Sequence, residues 1–442
     1  MKSLKLLLRF AVVGGLILLL LIPLAMIRGT IAERERYRDQ AQSRVAQSRA
    51  GEQSLVGPVR VLPWTQHREV EVTDPRGMRK TELQLEHGYE LQMPRRLKVD
   101  GQLRPDERRV GQFRVPVYSW QAKVQAEFDD LPYRAEAGRR YGQPYLAIGI
   151  ADVRGLVGTP NLRVDGQGLQ LEPGSLALER TYKGLHANLG ALDNEDEGTL
   201  AGGRKVELEF VLDGTRSLAV VPVGDDTRVA LDSSWPHPQF GGSFLPYERQ
   251  VDGSGFKAEW AVSSLASAAQ SQLRAALRGG SAVERLQVSL VDPVDVYTQA
   301  NRATKYGLLF VVLTFVGFAL FELIKRLRIH PLQYLLVGLA LALFFLLLLS
   351  LSEHIAFWQA YVMSAVACIG LQGFYLAGVL HSRRRAAGFA TMLTALYGVL
   401  YGLLVSEDNA LLMGSLLLFG ILAAIMWVTR KVDWYEIGSG LR

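Results

Sequence analysis

Nearly all long apolar runs lie in the first 27 residues and after Tyr306, whereas the stretch between them is polar and mixed. The run from Pro331 through Ser352 holds no charged residue. As a helix rising ~1.5 Å per residue it is long enough to cross a ~30 Å hydrocarbon core. Pro331 suits a first helical turn, where its missing N–H costs nothing. Lys325, Arg326 and Arg328 precede this run, and Glu353 and His354 follow it. Basic flanks stay in the cytoplasm, so the run is expected to start inside and end outside. Similar runs cover residues 10–27, 306–324, 355–380, 386–406 and 410–429; the only charge in them is Glu322.

These six runs order the chain. The connectors expected inside carry Lys2, Lys5 and Arg9, then Lys325, Arg326 and Arg328, then Arg383, Arg384 and Arg385, and finally Arg430 and Lys431. The two short connectors expected outside, at Glu353-His354 and Glu407-Asp408, carry no Lys or Arg. This alternation predicts six transmembrane helices with both termini in the cytoplasm. Residues 1–29 form an uncleaved anchor, since their apolar part is longer than the ~7–15 residues of a removable signal. Residues 30–304 form a periplasmic domain, 305–429 a five-helix membrane bundle, and 430–442 a cytoplasmic tail.

Within the outer domain, residues 31–50 carry Glu33, Arg34, Glu35, Arg36, Arg38 and Asp39 and predict a charged helix. From 55 to 291 the pattern changes to short alternating runs, clearest at 68–73, 82–85, 118–128 and 205–212. Asp165-Gly166, Asp213-Gly214 and Asp252-Gly253 read as turns. Many short strands broken by turns predict a β-rich, sandwich-like domain, either antiparallel or built of two packed sheets. Residues 266–277, closed by Gly279-Gly280, are the clearest helical segment within this region.

Composition narrows the chemistry. The 442 residues include one cysteine, Cys368, inside an apolar run, so an intramolecular disulfide is impossible. The formal charge of +6 sits partly in the membrane-flanking connectors, which favours a topological role over nucleic-acid binding. The chain has no nucleotide-binding glycine motif, HExxH, CxxC or GxSxG, and its seven histidines show no metal-ligand spacing. No catalytic, cofactor or metal residues are therefore assigned, and the lipid bilayer is the partner the composition implies.

Two kinds of polar or irregular feature stand out. Residues 234–246 combine three prolines, two glycines and the rings of Trp235, Phe240 and Phe244 around His237. They read either as a recognition loop for an envelope protein or polymer, or as a packed loop covering the sandwich core. Glu322, Glu353 and His354 are candidate membrane polar sites. Glu322 is also spaced i, i+4 from Arg326 for a helical ion pair. Glu353-His354 could relay protons, bind a cation, or simply end a helix. Gln333, Gln359 and Gln372 read as interhelical hydrogen-bond donors. Gly338, Gly370, Gly373 and Gly378 would allow close helix approach.

Several strings together resemble the CreD family of bacterial inner-membrane proteins: LVGP at Leu55, SWPHPQF at Ser234, FLP at Phe244, RATKYGLLF at Arg302, HPLQYLLVGLAL at His330, LLLLSLSEH ending at His354, and the terminal Asp433-Trp434-Tyr435. The resemblance implies an anchor, a large periplasmic domain and a membrane bundle. It further implies a link to a two-component regulon, a role in cell envelope integrity, and altered tolerance of colicins and β-lactams, with peptidoglycan-related components among possible partners. It supplies no reaction and no catalytic residues. The tail after Tyr435 is shorter than in some members. The expected function is non-enzymatic support of the envelope through the periplasmic domain. The alternatives are an ion-coupled transporter or channel-like protein using the bundle, and a membrane-anchored periplasmic hydrolase.

Overall fold

The computed structural model describes residues 2–73, 79–136, 138–192, 194–201, 203–279, 282–291, 296–325, 330–379, 382–405 and 410–430. The chain forms two compact units, Met1–Arg38 with Val294–Arg442, and Asp39–Pro293. The boundaries of these units fall at 38/39 and 293/294.

The helices are α1 (Lys2–Ser48), α2 (Ala269–Leu277), α3 (Val296–Lys305), α4 (Gly307–Lys325), α5 (Pro331–Ser352), α6 (Phe357–Val379), α7 (Arg383–Val405) and α8 (Ala410–Thr429). The expected anchor and the charged helix are one element, α1. Among the described residues, four helices are long and apolar enough to cross a membrane: Ala11–Ser48, Pro331–Ser352, Phe357–Val379 and Ala386–Val405. A fifth is added if Val296–Lys305 and Gly307–Ala319, bent by 43°, form one span. α8 is a further apolar helix, several of whose side chains lie outside the described residues. α3 was not anticipated; it buries Tyr297, Ala300, Ala303 and Thr304 along one stripe.

Local chemistry sets the start of α5. The His330 ring accepts from Leu332 N at 3.3 Å, and Gln333 Oε1 accepts from His330 N at 3.1 Å. This reciprocal cap satisfies N-terminal amides around Pro331. Gln333 is thus part of a cap, not an interhelical donor. Along α1, Leu20, Leu24, Ile27 and Ile31 are buried at helical spacing. Leu20 seats where Gly338 of α5 has no Cβ, while Gly370 and Gly378 meet no neighbour closely. The bundle centre is aromatic: the Tyr397 ring lies 4.7 Å from Phe310 and 4.7 Å from Phe344. Tyr361 O–H donates to Tyr397 O at 2.7 Å and Cys368 Sγ–H to Ala340 O at 3.5 Å, so these two residues supply polar contacts between helices. Gln359 is exposed.

The strands of the other unit are β1 (Gln53–Thr73), β2 (Arg79–Gln92), β3 (Arg96–Val110), β4 (Phe113–Glu127), β5 (Leu131–Arg134), β6 (Arg139–Tyr141), β7 (Tyr145–Ile150), β8 (Leu156–Val164), β9 (Gln167–Leu169), β10 (Glu172–Pro173), β11 (Lys183–Asn188), β12 (Glu197–Leu200), β13 (Lys205–Thr215), β14 (Ser217–Val220), β15 (Asp226–Ser233), β16 (Pro238–Gly242), β17 (Glu248–Asp252), β18 (Gly255–Ser263) and β19 (Leu286–Leu290). A nine-stranded sheet runs β10-β11-β7-β1-β14-β19-β16, with β2 and β6 also on β1. An eight-stranded sheet runs β17-β18-β15-β3-β4-β13-β8-β9, and β5 pairs β12 apart from both. Pairing is antiparallel except for β1 with β14 and β3 with β15.

One core joins the two large sheets, contributed by Leu55, Ile148 and Val288 from the first and Val99, Trp120 and Leu208 from the second. Alternation along β4 places Tyr118, Trp120, Ala122, Val124 and Ala126 inward and the intervening residues outward. The Trp120 indole crosses Gly101 of β3, a position where a Cβ would collide with the ring. Asp165 (φ 52°) and Gly166 (φ 83°) make the left-handed turn between β8 and β9. Asp252-Gly253 turns between β17 and β18 as the pattern suggested. Asp213-Gly214 does not turn. It lies inside β13 because Asp213 is held by Arg49 and Gly214 lets Tyr118 O–H approach the backbone.

Candidate functional site: polar clamps on the first helix

In the β unit, the end of α1 is held by side chains from distant strands and loops. α1 has no basic residue in its last turn. Arg154 supplies one from elsewhere, donating to Gln47 O at 2.7 Å and Ala46 O at 3.4 Å. Cationic donors at helical C-terminal carbonyls are favourable because those carbonyls lack intrahelical partners. Asp152 aligns Arg154 through contacts of 2.9 Å and 2.6 Å and accepts from Gly51 N at 3.1 Å. Hydrogen bonds from Arg154, then from the Gly51 and Arg154 amides, hold the Asp152 carboxyl below the usual carboxylate range.

Beside it, Arg49 donates from Nε at 2.9 Å and Nη2 at 2.6 Å to Asp213 Oδ2. Gln53 Nε2 bridges Asp152 O and Asp213 O, both at 2.9 Å. Val45 packs with Val115 and Val117 near the tip of the β3–β4 hairpin. The chain leaving α1 is therefore fixed by two carboxylates, two guanidinium groups and an apolar contact.

In the helical unit, α1 carries a second clamp. The Glu353 side chain, 7% exposed, sits 3.5 Å from Arg34 Nε, whose side chain is 39% exposed. Tyr297 O–H donates to the same Glu353 oxygen at 3.2 Å, and the Arg38 guanidinium lies 5.9 Å from the Tyr297 ring centroid. Arg28 Nη2 donates to Thr304 O at 2.9 Å. α1, α3 and the end of α5 are thus tied by charge-assisted contacts. His354 is exposed and its Nδ1 lies 3.1 Å from Ser350 O, a local contact at the helix end. Glu353 and His354 are adjacent in sequence but are not joined in one constellation. Glu322 lies in α4, and its pairing with Arg326 falls outside the described residues.

The segment 234–246 is built into the sandwich. β16 is the edge of the nine-stranded sheet, where Pro238 is tolerated. Trp235 Nε1 donates to His237 O and Val291 O, both at 3.1 Å. The Phe240 ring meets Phe256 and Trp260 edge-on at 5.7 Å and 5.8 Å. Trp235, Phe240 and Phe244 are half-buried against the core, and His237 is exposed.

Sequence reasoning passed over Arg60. It is fully buried, donates to Leu200 O at 3.1 Å and Asp129 O at 2.6 Å, and stacks 5.0 Å from the Phe128 centroid. Burial pushes its guanidinium down to about 10. The signal was present as one charge in the apolar string Val59-Arg60-Val61-Leu62. Among the described residues, no group of three or more His, Cys, Asp or Glu is placed to hold a metal ion.

Fold and contacts together define an α-helical membrane protein carrying a large β-rich unit. The profile of the family described as "Inner membrane protein CreD" matches residues 5–435. The chain is 37% identical over 424 residues to "Inner membrane protein CreD" of Escherichia coli (strain K12), covering 95% of this chain and 92% of that one. The chain belongs to the CreD family and is an inner membrane protein. Among solved structures it is matched by the M1 zinc metallopeptidase from Deinococcus radiodurans, 10% identical, over 45% of this chain and 42% of that one, with a TM-score of 0.19. A mutant of that enzyme matches the same shares at a TM-score of 0.22. Neither score is high enough to bear on fold or function.

Proposed function

We propose that the chain supports envelope integrity and tolerance of envelope stress and antibiotics as a non-enzymatic protein of the inner membrane, acting through its β unit. On this reading six spans leave both termini in the cytoplasm and the β unit in the periplasm. The observation that carries it is the double clamping of α1. Asp152–Arg154 and Asp213–Arg49 fix its end to the β unit, and Glu353 with Tyr297 holds it in the helical unit. Glu353, a charged group that a transport cycle could use, is engaged in holding the anchor helix. Phosphatase and fluorescent-protein fusions at Gly111, Gly388 and the C-terminus test the placement. Phosphatase activity is expected at Gly111 and fluorescence at the other two; a periplasmic signal at Gly388 would sink the six-span topology.

A second reading, passage of a polar solute through the bundle, is favoured by one observation. Gln372 in α6 is 2% exposed and neither amide atom has a hydrogen-bond partner, while Ser364 on the same helix is equally unpartnered. Unpaired polar groups are costly in hydrocarbon. Replacement of Gln372 by leucine, described below, separates the two readings.

A further inference from the structure

The border strands of the β unit are not alike. β10 and β16 end the nine-stranded sheet, β17 and β9 end the eight-stranded one, and β2 and β6 pair with β1 alone. β6 and β9 have three residues each, β10 has two and includes Pro173, and β16 contains Pro238. β17 carries Glu248, Arg249 and Asp252 in five residues. Short length, proline and dense charge guard a sheet edge against pairing with another chain. β2 is neither short nor interrupted: it runs for 14 residues without proline. Among the described residues no strand occupies its second edge.

β2 also outruns its sheet. β6 leaves β1 at Gln66, and His67 N donates to Gly138 O at 3.2 Å. From Arg68 to Thr73, among the described residues, β1 has only β2 beside it. A two-stranded ribbon is marginal in water until a third strand joins it. Strand alternation puts Leu83, Leu85, His87 and Tyr89 on one face of β2. Leu83 is 70% exposed and Leu85 47%.

A second copy of the chain supplies a strand that fits. A two-fold axis normal to the ribbon beside Leu85 sets Leu85 against Leu85, Leu83 against His87, Thr81 against Tyr89 and Gln84 against Glu86. Leu83 and Leu85 of both copies then adjoin on one face, and no like charges oppose each other. Moving the axis by one residue opposes acids: Glu86 meets Glu86 in one direction, and Glu82 meets Glu86 in the other. Like charges directly opposite across a strand pair are destabilising. Charge and apolar pattern therefore select the same register.

We propose that β2 pairs antiparallel with β2 of a second copy of this chain, centred on Leu85, so that the two ribbons form one four-stranded sheet. The pairing does not depend on the side of the membrane on which the β unit lies. The assay uses the full-length protein in detergent micelles and in isolated membranes. Light scattering corrected for detergent should give a dimer for the native chain. Leu85→Lys sets two cations against each other and should weaken the dimer at least tenfold in a dilution series. Leu265→Lys, at an exposed turn of the same unit, should leave it unchanged. Directly opposed residues of an antiparallel pair lie ~4.5–5.5 Å apart between Cα atoms, within disulfide reach. In a Cys368→Ala background, Leu85→Cys should therefore give a disulfide-linked dimer on mild oxidation. Leu83→Cys should not, because its two copies stand four residues out of line. A monomeric native chain, dimerisation of Leu85→Lys at native strength, equal linking through Leu83→Cys, or linking of Leu85→Cys only to a different protein in membranes would overturn the proposal.

Discussion

Arg49 and Asp213 form the contact on which the junction between α1 and the β unit depends, and its two partners should not be equally important. The Arg49 side chain is 38% exposed, the Asp213 side chain 9%. Arg49→Ala strands a carboxylate in a nearly dry site, where breaking a buried pair costs ~3–5 kcal/mol. Asp213→Ala strands a guanidinium that can reach water. Its cost should fall to ~1–3 kcal/mol, the range of a lost charge-assisted hydrogen bond. Gln53 remains on the Asp213 main-chain carbonyl in both variants, so the difference isolates the two charges. Removing both charges with Arg49→Met/Asp213→Leu should be milder than Arg49→Ala alone, because no charge is left buried. Urea titration of the purified protein in detergent, followed by far-ultraviolet circular dichroism, measures the order. Asp213→Ala proving as damaging as Arg49→Ala, or both changing stability by less than ~0.5 kcal/mol, would refute the reasoning.

Two further outcomes follow from local chemistry. Gln372→Leu removes two unpartnered amide atoms from the bundle interior at similar volume and should raise the Tm in detergent, with a gain of ~1–3 kcal/mol; a lower Tm together with lost envelope function would favour the solute-passage reading. Asp152, its carboxyl held low mainly by Arg154, contributes stability that is present above the ordinary carboxylate value of ~3.9 and is lost as pH falls through its lowered folded value. The urea midpoint of the native protein should therefore drop more steeply than that of Asp152→Asn as pH falls from ~5 to ~3; parallel slopes would show that the Asp152–Arg154 contact is not formed.

Local pattern made much of this architecture readable. The charge-free run after His330 became α5 with Pro331 in its first turn, and alternation at 118–128 and 205–212 became β4 and β13. Left-handed turn chemistry at Asp165-Gly166 and the tight Asp252-Gly253 joint were equally local. Asp213-Gly214 misled because an identical dipeptide is governed in β13 by Arg49 and Tyr118, residues remote in the chain. Within 234–246, which carries turn residues, Pro238–Gly242 becomes an edge strand because β19 supplies its hydrogen-bonding partner. Glu353 could be singled out from position alone, but its contacts with Arg34 and Tyr297 come from two other helices.

The most direct test of the central claim, that the β unit rather than ionisable groups of the bundle does the work, is survival of a strain lacking this chain and supplied with Glu353→Gln/His354→Asn. Gln at 353 can still accept from Tyr297, and Arg34, its side chain 39% exposed, can reach water, so the loss is at most the ~1–3 kcal/mol expected for Asp213→Ala. Survival under detergent and β-lactam challenge is measured, with membrane abundance checked by immunoblot. Survival equal to that given by the native chain, at equal abundance, is expected. A protein that inserts at normal abundance but fails to protect would contradict it and place the function in the bundle.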